Sequence, residues 1–342
     1  MKTIRFAMIG LGNIGRNLLD ILVHRRDAIA ATYGLQFSLV GVADSHGAAL
    51  CPTGLDMAAL RDLKLAQRSA ADLPVYGRPS LSGLEMLAQV EAEIFVDASP
   101  TNVTDGEPGM SCVKAALGRG MHLVSASKGP LVLAYDELMS LAAAHGSRVL
   151  FSGTVAGGLP TVNIGMRDLV GSEVLRVEGI FNGTTNYILT RMANEHLSYP
   201  EAVRGAQAAG IAEADPTLDV DGWDAANKLV ILANSVLRRP TRLQDVAIVG
   251  IRDLTLADLE AAAARGQTIK PLAIAEKTGD DYALRVEPTW LPLSHPLART
   301  GMWDMAVVYY TDYMGVISAV IEEKGPVPTS AALLRDMLTL YR

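Results

Sequence analysis

A short apolar strand that runs into a turn with spaced glycines and then into a helix admits few folds. Residues 4–9 read as a buried strand, Gly10, Gly12 and Gly15 follow at G-x-G-x-x-G spacing, and residues 17–23 are helical in pattern. The first glycine permits the tight turn and the second lets a pyrophosphate approach the backbone. The third packs the helix on the strand, with phosphate at the helix N-terminus. The same turn can exist without a ligand. The strand–turn–helix context favours a dinucleotide site made of Gly10, Gly12, Asn13, Ile14 and Gly15.

The following residues extend this pattern into a doubly wound α/β domain over residues 1–150. A second strand at 37–43 ends on Asp44, where an acid commonly accepts ribose hydroxyls and repels a 2′-phosphate. Asp44 therefore leans the reading toward NAD, with an insertion around 25–34 to account for its distance from the glycines. Residues 51–81 show one helical patch, near 58–66. A third strand at 94–98 delivers Ser99, Pro100 and Thr101 to its carboxyl end, the side of an open parallel sheet where ligands bind. After a helix at 111–118, a strand at 122–125 does the same for Lys128, which is otherwise a plain loop lysine. A helix at 135–145 and a strand at 148–151 complete the alternation.

Bulk composition narrows the function classes. The 342 residues are 49% hydrophobic, enough for about two domains. A net charge of −7 argues against general binding to nucleic acid or anionic membrane. No apolar run reaches the roughly 18 residues that span a bilayer, and the N-terminus enters a strand with no cleavable leader. A cytoplasmic protein is the expectation. Two cysteines, Cys51 and Cys112, make neither a metal spacing nor a disulfide framework, and the six histidines show no triad.

The second half carries the chemistry. Residues 152–160 are rich in glycine and offer several carbonyls, for a hard cation or for a tight domain crossover, the latter favoured on the residues alone. A strand at 174–181 leads into Asn182, Thr184 and Asn186 at a helix start, where amides and hydroxyls can cap the helix or hold a polar substrate. A helix at 199–210 precedes a loop holding Glu213, Asp215, Asp219 and Asp221. A helix then begins near Trp223, with Asp221 as N-cap, Asp224 completing a capping box and Lys228 four residues later. An ordinary capped surface helix has the same i,i+4 pair. Five acids before a lysine that enters an apolar run point instead to a proton donor held beside a carboxylate. Strands at 246–249 and 284–291, a helix at 256–265 and a last helix at 330–341 complete the expected second domain, 151–300, and a tail, 301–342.

Several of these blocks together resemble homoserine dehydrogenase. They are Gly10-Leu11-Gly12-Asn13-Ile14-Gly15, Ser99-Pro100-Thr101-Asn102 with Gly106-Glu107-Pro108, and Ser125-Ala126-Ser127-Lys128-Gly129-Pro130. Further on come Thr154-Val155-Ala156-Gly157-Gly158-Leu159-Pro160, the run from Asn182 to Leu189, and the run from Glu213 to Lys228, all in the family's order. The last two are the specific ones. The resemblance implies a Rossmann-type domain, an α/β catalytic and dimerisation domain, a homodimer, and a tail returning to the nucleotide domain. It implies interconversion of L-homoserine and aspartate 4-semialdehyde with NAD(P), in threonine and methionine biosynthesis. By position, Lys228 resembles the proton donor and Asp224 its partner. Glu213 and Asp219 resemble holders of the substrate ammonium, with Asn182 and Thr184 in the same pocket, and Lys128 resembles a lysine between nicotinamide and substrate. The carbonyls of Val155, Gly157 and Leu159 resemble a sodium site. Three positions depart from the family pattern: Ser127 replaces a common Asn, Ser152 stands where many members have an acid, and the run from Gly325 to Ser330 is a loose form of a tail motif. From the length, no regulatory domain of the kind carried by longer members is expected. A dehydrogenase of another small hydroxy amino acid, or an NAD(H)-binding regulator without turnover, would share the first domain. A cysteine-dependent semialdehyde dehydrogenase is disfavoured because Cys51 and Cys112 lie in an irregular stretch and a core helix.

Overall fold

A computed structural model describes residues 1–342 and divides the chain into two compact units, 1–158 with 325–342, and 159–324. The first unit opens with β1 (Lys2–Ile9), α1 (Asn13–His24), α2 (Arg26–Tyr33) and β2 (Leu35–Asp44). Helix α2 occupies the insertion expected before the second strand. Next come β3 (Gly47–Leu50), α3 (Met57–Leu65), β4 (Gly77–Pro79), α4 (Gly83–Gln89) and β5 (Ile94–Asp97). The unit's first segment closes with α5 (Gly109–Gly118), β6 (His122–Ser125), α6 (Gly129–Ala144) and β7 (Val149–Leu150).

Its seven strands lie in the order β4-β3-β2-β1-β5-β6-β7, parallel from β2 through β7, with β3 and β4 added antiparallel at one edge. The chain leaves β1 toward β2 on one side and later places β5 on the other. The carboxyl ends of β1 and β5 therefore flank the point where strand order reverses, the usual ligand crevice of such sheets. β3 and β4 are too short and too broken by glycine and proline for a periodicity of two to reveal them.

The second unit runs α7 (Thr161–Asn163), β8 (Val174–Ile180), α8 (Gly183–Glu195), α9 (Tyr199–Ala208), α10 (Thr217–Val220) and α11 (Trp223–Ser235). It continues with β9 (Val246–Ile248), α12 (Leu256–Ala264), β10 (Gln267–Thr278), β11 (Asp281–Pro292), β12 (Asp304–Thr311) and β13 (Val316–Glu322). The sheet order is β13-β12-β8-β10-β11-β9, antiparallel except between β11 and β9. Strand β10 is absent from the sequence expectation because Lys270 and Pro271 interrupt its apolar run. Residues such as Ile188, Met192, Val220 and Ile269 form one core, while Ile180, Leu272, Ile274, Ala306 and Val308 form another.

Helix α13 (Val327–Thr339) belongs to the first unit, whereas residues 301–324 carry β12 and β13 of the second. The division thus differs from the expected boundaries at 150 and 300, because the two strands from the tail complete the second sheet. Leu333 and Met337 of α13 are fully buried in the cluster that joins α1, α3 and β1. Leu333→Ala is expected to destabilise the first unit by about 2–5 kcal/mol, read as a lower denaturation midpoint. An unchanged midpoint would mean that α13 is not part of that core.

Candidate active site

In the second unit, strand β8 ends at Ile180, and the chain turns at Phe181 and Asn182 into α8. Asn182 is the N-cap, its Oδ1 accepting the Thr185 N–H at 2.9 Å. Its Nδ2 donates to Asp219 Oδ1 at 2.6 Å and to Asp224 Oδ2 at 2.8 Å. Lys228 Nζ donates to the same Asp224 oxygen at 2.6 Å and to the Phe181 carbonyl at 2.6 Å. The Asn182 amide thus bridges two carboxylates, and the Lys228 ammonium joins one of them to the carbonyl at the end of the strand. The Lys228 and Asp224 side chains are only 12% and 17% exposed, so protein groups replace most of their hydration. Burial raises the Asp219 carboxyl pKa above its ordinary value and the Asp224 charge adds to this, while Asn182, Lys228 and Thr184 oppose it.

The helix under this cluster starts differently from its sequence reading. Gly222, at φ 89°, is the N-cap of α11, and no side chain caps it. A Cβ on Gly222 would lie 3.1 Å from both the Ile248 and the Val286 side chains, so any larger residue would crowd them. Asp221 instead pairs with Arg252, and the expected loop contains the short helix α10, which carries Asp219. The carboxylates expected around Lys228 therefore separate. Asp219 and Asp224 gather on Asn182, Asp215 caps the turn at Thr217, and Glu213 is exposed with only its carbonyl engaged, by Gln207. Thr184 lies at the rim, its hydroxyl on the Ile211 carbonyl at 3.4 Å. Asn186 is a brace: its Nδ2 donates to the carbonyls of Gly301 and Asp304, and buried Lys270 donates to the Thr300 carbonyl at 2.8 Å.

In the first unit, the fit of a dinucleotide can be judged from the glycines. A Cβ on Gly10 would lie 2.2 Å from the Ala98 carbonyl oxygen, and one on Gly15 would lie 2.1 Å from that of Gly10. A Cβ on Gly12 would meet no protein atom within 4 Å, and α1 starts there with no side-chain cap. Two glycines are therefore needed for packing, and the third borders open space at a helix N-terminus suited to phosphate. Ser330 of α13 donates its hydroxyl to the Ile14 carbonyl at 2.9 Å, which ties the tail motif to this turn. Ser99 donates its N–H and hydroxyl to Asp97 Oδ1 at 3.0 and 2.6 Å, while Pro100 and Thr101 are exposed. Lys128 is the N-cap residue of α6 at the carboxyl end of β6.

Asp44 departs from its expected role. Its Oδ1 accepts from the His46 N–H and the Ser69 hydroxyl, and its Oδ2 from Lys64 Nζ at 2.9 Å and the Ala70 N–H. With the side chain 7% exposed and both oxygens doubly engaged, no acceptor capacity is left for ribose hydroxyls. Lys64 also balances the charge that would repel a 2′-phosphate. The glycine-rich loop gives a similar result. Ser152, in the place of an acid, donates its N–H and hydroxyl to buried Asp336 at 2.8 and 2.7 Å. Arg335 donates to the Ser152 hydroxyl oxygen at 2.8 Å and to the Gly158 carbonyl at 3.1 Å, and the Leu159 carbonyl accepts the Thr161 N–H. A resident guanidinium, and a nearest acid, Asp336, whose oxygens already accept from Ser152, make a poor fit for sodium. Both cysteines are buried, and burial pushes the Cys112 thiol up to about 12, which removes it as a nucleophile.

Comparison with known proteins agrees with the geometry of both units. Residues 160–338 match the family described as homoserine dehydrogenase, and residues 10–152 match the homoserine dehydrogenase NAD binding domain. The chain belongs to the homoserine dehydrogenase family. A homoserine dehydrogenase of Methanocaldococcus jannaschii is 35% identical over 98% of this chain and 97% of its own length. An NAD(+)-dependent homoserine dehydrogenase of Pseudomonas canavaninivorans is 34% identical over 100% and 97%. The crystal structure of a putative homoserine dehydrogenase from Archaeoglobus fulgidus superposes with a TM-score of 0.88 at 34% identity, covering 99% of each chain.

Homoserine dehydrogenase motifs in the sequence do not single out Asp97, the last residue of β5. It is fully buried, one carboxyl oxygen has no hydrogen-bond partner, and burial lifts its pKa from 3.8 to about 6 against the two Ser99 bonds. The available signal is an acid ending a buried strand with Ser two residues on, an Asx-type turn. A raised folded-state pKa means that its contribution is fully present below about pH 4 and is lost as pH rises through about 6. Asp97→Asn keeps an acceptor for Ser99 and should gain thermal stability over the parent above pH 7 but not at pH 4. A difference that does not change with pH would rule out this titration.

Proposed function

We propose that the protein interconverts L-homoserine and L-aspartate 4-semialdehyde, with Lys228 as the group that protonates or deprotonates the substrate oxygen. The observation that carries this reading is the Lys228 ammonium held between Asp224 and the Phe181 carbonyl, inside a cluster that Asn182 closes. NAD(P)(H), when bound, supplies or accepts the hydride. The glycine turn, with Asn13, Ile14, Ser99, Pro100 and Thr101, is assigned to hold it, and Lys128 is assigned to its nicotinamide end.

In the reducing direction, Lys228 gives a proton to the aldehyde oxygen as the carbonyl carbon is reduced. In the oxidising direction it takes that proton back. Asp224 holds one of its donors on a fixed acceptor and balances its charge, so the ammonium stays aimed. Asp219 is assigned to the substrate ammonium, with Asn182 and Thr184 setting its orientation and Glu213 as an outer acid. Fixing a small polar substrate in this way supplies orientation, a large part of the barrier in such reactions. A regulator without turnover has no use for a largely buried lysine ammonium held between a carboxylate and a strand-end carbonyl. A cytoplasmic homodimer serving threonine and methionine biosynthesis completes the reading, on the family resemblance. The cofactor is NAD(P) without a commitment to either form, because Lys64 balances Asp44.

The test is oxidation of L-homoserine at alkaline pH with NAD and NADP in parallel, followed by the absorbance of the reduced nicotinamide. Turnover is expected with at least one cofactor. Lys228→Ala should lower kcat by roughly 10²- to 10⁴-fold with altered pH dependence. Near-normal turnover of that variant would remove Lys228 from the role. Binding of NADH without any homoserine oxidation would overturn the substrate assignment.

A further inference from the structure

The glycine-rich loop contains strain that something must hold in place. Ala156 and Gly157 are consecutive left-handed residues, at φ 60° and 58°, and Val155 and Ala156 are fully buried. An alanine in that region costs free energy and persists only where its surroundings fix it. In a loop of this type a bound cation can supply the fixing by drawing carbonyls together.

We infer that Arg335 supplies it instead, so that the protein needs no alkali cation. One guanidinium nitrogen reaches the Ser152 hydroxyl and the other the Gly158 carbonyl, which are the two ends of the strained segment. Asp336, the next residue on α13, receives both donors of Ser152; burial still raises its pKa, and the two Ser152 bonds and the Arg335 charge offset this in part. Arg335, Ser152, Asp336 and Gly158 all lie in the first unit, so the clamp is internal to it. A planar, permanently charged fork suits two acceptors at fixed separation, which a flexible ammonium does not match. A second cation placed among these carbonyls would be repelled by the guanidinium. The substitution of Ser for an acid at 152 fits this arrangement. A carboxylate there would face buried Asp336, whereas a hydroxyl can donate to Asp336 and accept from Arg335 at once.

The experiment compares sodium, potassium and choline chloride at matched ionic strength, reading thermal unfolding, hydrogen exchange over residues 152–158, and homoserine turnover. The parent protein should behave alike in all three salts. Arg335→Gln should unfold roughly 5 °C lower in choline, exchange faster over the loop, and regain part of the loss in sodium. A saturable sodium-specific rise in the parent's stability or turnover would overturn the inference, as would an Arg335→Gln protein indistinguishable from the parent in choline. If that variant does not fold, the salt comparison on the parent still decides. The unfolding and exchange readings do so even if homoserine proves not to be the substrate.

Discussion

A lysine ammonium with little access to water has to be solvated by the protein, and the second unit is arranged around that requirement. Lys228 obtains one acceptor from a side chain on its own helix and one from the carbonyl where β8 ends. The second acceptor is available only because α11 lies against the end of the strand, which in turn requires a glycine at 222 for the tight entry into the helix. The Asp224 oxygen that receives the lysine also receives Asn182, and Asn182 caps α8. Helix start, strand end and lysine ammonium are thus linked through a single carboxylate. Its removal would strand a charge and not merely delete a contact.

The first unit is constrained by proximity of backbone. Gly10 and Gly15 are fixed by carbonyl oxygens roughly 2 Å from any added Cβ, and such contacts leave no room for substitution. Gly12 is free of that constraint and faces open space, which separates its role from that of its neighbours. The same turn receives Ser330 from the last helix, so the tail motif contributes to the glycine turn through a hydroxyl–carbonyl bond.

Much of this was legible in the sequence, and the limits follow from the range over which each signal acts. The strand–turn–helix at the N-terminus, the alternation of strands and helices that follows it, and the Asp224–Lys228 pair are encoded within short stretches and can be read locally. Strand β10 was hidden because its lysine and proline face demands set elsewhere: Lys270 answers to Thr300 and Asn186. Asp221 has the sequence environment of an N-cap, but Arg252, 31 residues away, claims it. Asn182 could be seen as a cap, while its bridge between Asp219 and Asp224 depends on tertiary placement of helices 37 and 42 residues further on.

Two expectations read from family resemblance and strand-end position, ribose at Asp44 and sodium at the glycine loop, meet the same obstacle. In each case a cation from the chain itself is already in place, Lys64 on Asp44 and Arg335 on the Ser152 hydroxyl and the Gly158 carbonyl at the two ends of the loop. The pairs are separated by 20 residues at Asp44 and by 177 and 183 at the loop, distances over which a motif carries no information. An internal cation differs from a dissolved one in a way that matters for both sites: its concentration is fixed by the fold and does not vary with the medium. Electrostatic balance at Asp44 and rigidity of the loop thereby become properties of folding.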